Sequence, residues 1–488
     1  MTTHFRKQVS CFNILVMRLS QHSTKGYVKN KNRKPIQRLL TDSSDRRISS
    51  RHLVLAVAAL TLIALIQGYA LSAQTLPSSS ERHPAITEFP SPQSPLFVHE
   101  NSHVVVMEYE AWFGPNAVTF QTSVAKPVLQ SKDMQAIGRG YDSADPAVIK
   151  QHTAWMEYMG IDAALIDLTN NVSCIFNSEW FVEKYLQNSN NCPAFRSDYQ
   201  TIRDNTGNLY PAWTRLGTLL KLIPLLGGID QDVLYKDQDG KTAFEKEVEY
   251  FGGLMHQHPN LEVIYQGKPL MVIYLGAAQD PTPSDNPLWF QIRQFLRVHP
   301  EITDRYTFRM MAGYLDSQPD LWTDQSTPDG PVEINPEFGF WSWVDRLNTS
   351  CTLALCPYYP SYNRAGSRVE NFTTSIATAG QNGWGCPNSN ELPYCPDDAL
   401  RYGKNGSYET FDLFMTYARK LDPISLILHQ FNEFNSSDEG WDANTNDDIE
   451  PANQWGSKSL EVVRDQISIY HRHDKRGSAD SPEAGEVP

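Results

Sequence analysis

The run ISLIL (residues 424–428) is followed, after His429-Gln430-Phe431, by NEFNSSDEGWDANTNDDIEP (residues 432–451). The first stretch is short and apolar and reads as a buried strand. The acid-rich run therefore leaves a strand's C-terminal end, where α/β barrels and open α/β sheets place their chemistry. Glu433 and Glu439 leave that strand beside Trp441, with Asp438 close to the second of them. Glycoside hydrolysis needs this kind of set: one acid protonates the leaving oxygen, another supports an oxocarbenium-like centre, and an aromatic ring stacks on the sugar. By composition alone, an Asp/Asn-rich run is as readily a solvated loop. The rest of the chain has to decide between the two.

Working back from this stretch, short apolar runs alternate with helical patterns, which indicates βα units rather than a sandwich. Strands are expected at Val104–Met107, Ala163–Ile166, Leu270–Tyr274, Phe308–Ala312, Phe338–Trp341 and Ile424–Leu428. Helices are expected at 146–159, 211–226, 243–255, 368–377 and 411–420, with a final helix at 460–471 whose Leu460, Val463, Ile467 and Tyr470 share one face. The fold class this implies is α/β, a (β/α)8 TIM barrel over residues 100–473, with two of its eight strands inconspicuous in the sequence.

Strand ends in such a barrel should present polar and aromatic groups to one mouth. Glu108, Tyr109, Glu110 and Trp112 follow the first strand; Asp167, Asn170 and Asn171 follow the second; Tyr314 and Asp316, then Trp341, Trp343 and Asp345, follow later ones. The expected substrate contacts are Glu108, Tyr109, Trp112, Asp167, Trp341, Asp438 and Trp441. A single Trp or Asp at a strand end more often packs or caps a turn; it is the convergence that points to a carbohydrate site. No dinucleotide fingerprint, phosphate loop, zinc-protease motif or nucleophile elbow occurs. No cofactor or metal is expected. Asp442, Asn444 and Asn446 are spaced like the opening of a calcium loop, but Asp447 stands where its glycine belongs and Asn453 where its closing glutamate belongs.

Several stretches also resemble glycoside hydrolase family 99 and its relatives, the endo-acting α-mannosidases and α-mannanases. Asn432-Glu433-Phe434, Glu439-Gly440 and Ile449-Glu450-Pro451 are similar to the start, middle and end of that family's N-E-W-H-E-G-T-Q-I-E-P signature. Upstream, EYEAWFGP (108–115), YDSADP (141–146) and Gly160-Ile161-Asp162 are similar to its first strand exit, its Y-D-S-x-D-P and its A-G-I-D-G, in the same order. The likeness extends over about residues 100–472. It implies that Glu433 acts as base on the sugar 2-hydroxyl and Glu439 as acid on the leaving oxygen. The two glutamates are six apart here and three apart in the family, so Asp438 competes with Glu439 for the second position.

The remaining features bear on location. Residues 1–51 hold twelve Lys or Arg against two acids, +10 in a chain of net −14, so the remainder carries −24. An acidic body argues against a nucleic-acid or anionic-membrane ligand. Leu53–Ile66 is uncharged, and residues 52–73 read as a secretory signal or signal anchor with the basic flank on the cytoplasmic side. The only membrane contact expected is through that segment, if it is not cleaved. Residues 74–99 are Pro/Ser-rich and read as a linker; residues 474–488 read as a polar tail. Six cysteines follow the apolar segment: Cys174, Cys192, Cys351, Cys356, Cys386 and Cys395. An even number suits oxidised pairs in a secretory compartment; neighbours in sequence could pair, among fifteen connectivities. Five Asn-x-Ser/Thr sequons, at Asn171, Asn348, Asn371, Asn405 and Asn435, also suit export. These features, with the resemblance, predict a secreted or lumenal hydrolase of polysaccharides or glycans, endo-acting in the manner of the family it resembles. The competing reading is a glycan-binding protein on the same scaffold without catalysis.

Overall fold

The computed structural model describes residues 92–115, 126–135, 140–186, 192–227, 231–274, 288–312, 340–343, 347–348, 356–357, 364–365, 368–377, 401–402, 407–434 and 446–477. The basic segment, the apolar segment 52–73 and residues 74–91 of the expected linker lie outside them. Among the described residues no helix is long and apolar enough to cross a membrane.

Eight strands form one parallel sheet: β1 (Val104–Tyr109), β2 (Ala163–Leu168), β3 (Lys221–Gly227), β4 (Lys268–Tyr274), β5 (Thr307–Ala312), β6 (Phe340–Ser342), β7 (Asn371–Ser375) and β8 (Ser425–His429). Their spatial order is β6-β5-β4-β3-β2-β1-β8-β7. The first strand thus lies beside the last, with Val104 in register with Ser425 and its N–H donating to the Ile424 carbonyl at 2.9 Å. This is the neighbour order of a (β/α)8 barrel. Among the described residues, the seam between β6 and β7 is bridged by side chains instead of a ladder: the Trp341 indole donates to Glu370, just before β7, at 3.2 Å.

Helices follow the strands in alternation: α1 (Pro146–Met159), α2 (Cys192–Leu216), α3 (Ala243–Gln257), α4 (Leu288–Val298), α5 (Glu409–Leu421) and α6 (Lys458–Gly477). Local chemistry sets their ends. Asp145 caps α1 by accepting from the Ala147 N–H, Pro146 sits in its first turn, and Gly160 ends it at φ 83°. Thr242 and Glu245 form a reciprocal capping box at the start of α3. Strand parity divides the side chains. Val105, Met107 and Tyr109 pack with the helices, whereas Val104 and Val106 join Leu165, Leu225, Val272 and Ile427 in a separate inner cluster.

Two expected helices are corrected. Residues 211–226 are not one helix: α2 ends at Leu216, Gly217 turns the chain at φ 63°, and Lys221–Gly227 is β3. Its apolar run is buried on both faces and has no alternation to betray it. Pro224 is tolerated because the ladder with β4 begins only at Leu225. Residues 368–377 contain β7, not a helix. Phe372 faces the helices, and Asn371, Thr373 and Ser375 are buried, which hides the strand behind a polar pattern. A further strand, Leu96–Val98, lies inside the stretch read as linker and pairs in parallel with Val263–Tyr265.

Candidate active site at the strand ends

The exits of β8, β1 and β2 bring four carboxyl groups together. Glu108 is the interior residue near the end of β1, Glu110 follows it, Asp167 occupies the corresponding level of β2, and Glu433 lies four residues beyond β8. One oxygen each of Glu108, Glu110 and Asp167 lie within 4.8 Å of one another, all buried.

The segment after β8 is folded onto the sheet. The Phe431 N–H donates to the Glu108 carbonyl at 2.9 Å, continuing the β1–β8 pairing by one step. The Glu450 N–H returns to the Phe431 carbonyl at 2.8 Å, so residues 446–450 lie against residues 430–434. Arg401, wholly buried, clamps this return by donating to the carbonyls of Asn446 and Asp448, each at 2.7 Å, and its guanidinium lies over the Trp455 ring at 4.0 Å. Both described ends of the acid-rich run are therefore core structure. Phe434 adopts φ 49°, a strained conformation for a side-chain-bearing residue, and its N–H points at the Asp448 carboxylate at 3.3 Å.

His429, the last residue of β8, is the positive charge of the site. Its Nδ1 bonds Glu108 Oε2, its Nε2 lies 3.5 Å from Asp447, and Trp343 packs edge-on against it while donating its indole N–H to Glu108 Oε1 at 3.1 Å. Burial alone would lower the imidazole pKa, but Glu108 and Asp447 push it up to about 10. Around this ion pair two of the acids, Asp167 and Glu110, hold protons more tightly. Burial, then Glu108, pushes Asp167 up to about 7. Burial, then Glu108 and Glu433, pushes Glu110 well above the usual carboxylate range.

Behind the cluster runs a buried polar network. Asn432 accepts the Glu110 N–H and donates to the Glu110 carbonyl, both at 3.0 Å, and its amide also donates to the Tyr141 hydroxyl at 2.9 Å. Tyr141 donates to Glu450 at 2.6 Å, the other Glu450 oxygen faces His152 Nε2 at 3.4 Å, and His152 Nδ1 meets the Tyr109 hydroxyl at 3.0 Å.

The structure brings Glu433, Glu108 and Asp167 together from the sequence-predicted set. Tyr109 faces α1, away from the cluster. Trp112 packs in the helix-facing core and donates its indole N–H to the Asp167 carbonyl at 3.3 Å, positioning an acid. Trp341 sits within the sheet's inner cluster beside Glu370, while Trp343, two residues on, reaches the site. Glu439, Asp438 and Trp441 lie outside the described residues. Missing from the predicted set are His429, Tyr141, His152 and Glu450. His429 was detectable as an ionisable group at the interior parity of β8; the others sit in matched motifs or on α1, with no spacing that marks them.

No protein-family profile matches the chain, and no curated protein does. Among solved structures, the chain is similar to the GH99 endo-α-mannosidase from Bacteroides thetaiotaomicron, with 13% identity, a TM-score of 0.40, and coverage of 76% of this chain and 98% of that one. A second structure of a GH99 endo-α-mannosidase from that organism gives 11% identity and a TM-score of 0.39 at the same coverage. A GH29 α-L-fucosidase from Bacteroides thetaiotaomicron gives 10% identity and a TM-score of 0.29, covering 82% of this chain and 76% of that one.

Proposed function

We propose that this chain is a glycoside hydrolase on a closed (β/α)8 barrel, acting within α-linked mannose-type glycans or a related polysaccharide, with Glu433 as its general base. The observation that carries the reading is the convergence of Glu433 with Glu108, Glu110 and Asp167 at the ends of β8, β1 and β2. Within that cluster Glu108 is ion-paired while Asp167 and Glu110 are biased towards their protonated forms. Carboxyl groups pushed to different protonation states a few ångströms apart are what acid–base cleavage of a glycosidic bond requires. The mannose-type substrate and the endo-acting mode follow from the motif resemblance, with Glu439, or Asp438, as that resemblance's candidate acid.

A secretory or extracellular location is part of the proposal. It is supported by the apolar segment at residues 52–73 and by the disulfide between Cys174 and Cys192. Of the five sequons, Asn371 is 4% exposed and lies in β7, so it is unsuited to carry a glycan on the folded protein.

The test is hydrolysis of an α-linked mannan by the purified chain and by Glu433→Gln. The amide keeps the shape and removes the proton chemistry, so cleavage should fall on the order of a hundredfold or more with folding intact. Full activity in the variant would remove Glu433 from the mechanism. Binding of mannan without turnover by the unaltered chain would favour a glycan-binding protein instead.

A further inference from the structure

Cleavage of a glycosidic bond needs a proton for the leaving oxygen and a base for the attacking group, and the four carboxyls are not equally available for those tasks. Both oxygens of Glu108 are engaged, one by His429 and one by the Trp343 indole. Glu110 is 1% exposed and receives the Asn432 N–H at 3.3 Å. Asp167 and Glu433 are the two least deeply buried, at 7% and 6%, with Glu433 accepting from the Gln430 side-chain amide. They leave the sheet from β2 and β8, the two neighbours of β1. A sugar ring seated over the end of β1 would therefore lie between them.

Asp167 is also held in place. The Thr169 N–H donates to its Oδ1 at 2.6 Å, and the Trp112 indole fixes its backbone carbonyl. It is faced by Glu108 and Glu110 from the β1 exit, by His429 from β8 and by Glu247 from α3. Three of these four are carboxyls; the Thr169 hydrogen bonds and the imidazolium oppose them, but burial and Glu108 outweigh both, so the surroundings disfavour a charged Asp167.

We propose that Asp167 is the catalytic acid, protonating the leaving glycosidic oxygen opposite Glu433; the assignment rests on the glycosidase reading above. As the C1–O bond to the leaving sugar breaks, its electron pair stays on that oxygen, which takes the Asp167 proton. Glu433 removes a proton from the group that attacks C1. Over the full cycle one water is consumed, its hydroxyl ending on C1 and a hydrogen on the leaving sugar, and Asp167 regains the proton that Glu433 collected.

The experiment compares two substrates that differ in their need for an acid: an α-linked oligomannoside, whose leaving group is an alcohol, and the matching α-mannobiosyl fluoride, whose leaving group departs without a proton. Asp167→Asn should lose a hundredfold or more on the oligomannoside and stay within about tenfold on the fluoride. Glu439→Gln, at the acid that the resemblance offers, is the comparison variant and should not show that leaving-group selectivity. In the unaltered protein, kcat/KM for the oligomannoside should fall above about pH 7 while that for the fluoride does not, a measurement that does not depend on a variant folding. Equal losses on both substrates, the leaving-group-selective pattern in Glu439→Gln, or the same alkaline limb for both substrates would overturn the assignment of Asp167 alone. An unaltered protein that cleaves neither substrate would overturn the mannose-directed glycosidase reading on which the assignment rests.

Discussion

Asn432 and Glu110 hold each other by a reciprocal pair of hydrogen bonds, Glu110 N–H to Asn432 Oδ1 and Asn432 Nδ2 to the Glu110 carbonyl, both at 3.0 Å. A side-chain amide here stands in for a strand neighbour at the point where β1 and β8 leave the sheet. It satisfies a buried donor and a buried acceptor that would otherwise face no partner. It also ties the backbone of one carboxyl of the cluster to the residue preceding the candidate base.

Replacing Asn432 with Ala would strand both Glu110 backbone groups and remove a bond to the Tyr141 hydroxyl. The expected cost is about 2–4 kcal/mol, because unmade buried hydrogen bonds cost more than made ones contribute. Urea unfolding of the variant checks it. A change below about 0.5 kcal/mol, the range of ordinary surface substitutions, would show that this bridge is not structural.

Arg309 and Glu370 form a second buried tie, bidentate at 2.8 and 2.9 Å, which Tyr265 and Trp341 complete. It joins β5 to the start of β7 across the one seam without a described ladder. Glu370→Ala should destabilise by roughly 3–5 kcal/mol, since it leaves a guanidinium buried and unpaired, whereas replacing both partners with apolar residues should cost less. Thermal unfolding of the single and double variants decides between these orders.

The His429–Glu108 pair makes stability depend on pH at the alkaline end. The folded-state imidazole pKa is about 10, against about 6.5 for an unfolded histidine. A pKa raised on folding contributes stability that is fully present below about pH 6.5 and is lost as pH rises through about 10. The unfolding midpoint should fall across this window, and His429→Gln should flatten that part of the curve. An equally steep decline in His429→Gln would place the cause elsewhere.

How much of this was legible depended on whether a position obeyed one rule or two. Ile424–Leu428 and Val104–Met107 could be read because burial on both faces and strand propensity agree there. β7 was hidden because its interior residues, Asn371, Thr373 and Ser375, are polar and contradict the apolar signature of a buried strand. β3 was hidden because an apolar run following a helix has no period that separates the two states. Glu433, Glu108 and Asp167 were legible as acids directly after strands. The division of labour among them was not, because it depends on His429 and Trp343, which are 86 residues apart in sequence and meet only in the fold at 4.9 Å. Proximity to strand ends points Tyr109 and Trp341 to the mouth, but parity turns Tyr109 towards the helices, and Trp341, though of interior parity, lies one step below Trp343, beside Glu370.

The disulfide between Cys174 and Cys192 closes an excursion that carries the short helix Glu179–Tyr185 between β2 and α2. Reducing it should lower stability by about 3 kcal/mol in the chain-entropy account of a loop of this size. Unfolding midpoints with and without reductant, compared with those of Cys174→Ser, separate this bond from any other pair.

Asp167→Asn should separate stability from function. The folded-state pKa of Asp167 is about 7, raised by burial and by Glu108, whereas the unfolded value is about 3.9. Between about pH 4 and pH 7 the folded chain retains a proton that the unfolded chain has released, so this residue's contribution becomes steadily less favourable as pH rises through that window, and the full penalty persists above it. Asparagine keeps the shape and has no proton to lose. The variant should therefore unfold at a higher temperature than the parent at pH 8, by several degrees for a chain of this size, and near the parent's temperature at pH 4. Its hydrolysis of alcohol-leaving glycosides should fall at the same time, the opposition expected where a buried acid is retained for chemistry at the expense of stability. A variant equally destabilised at both pH values would mean that the Asp167 carboxylate is bound by groups that favour its charge, and the account of its environment would fail.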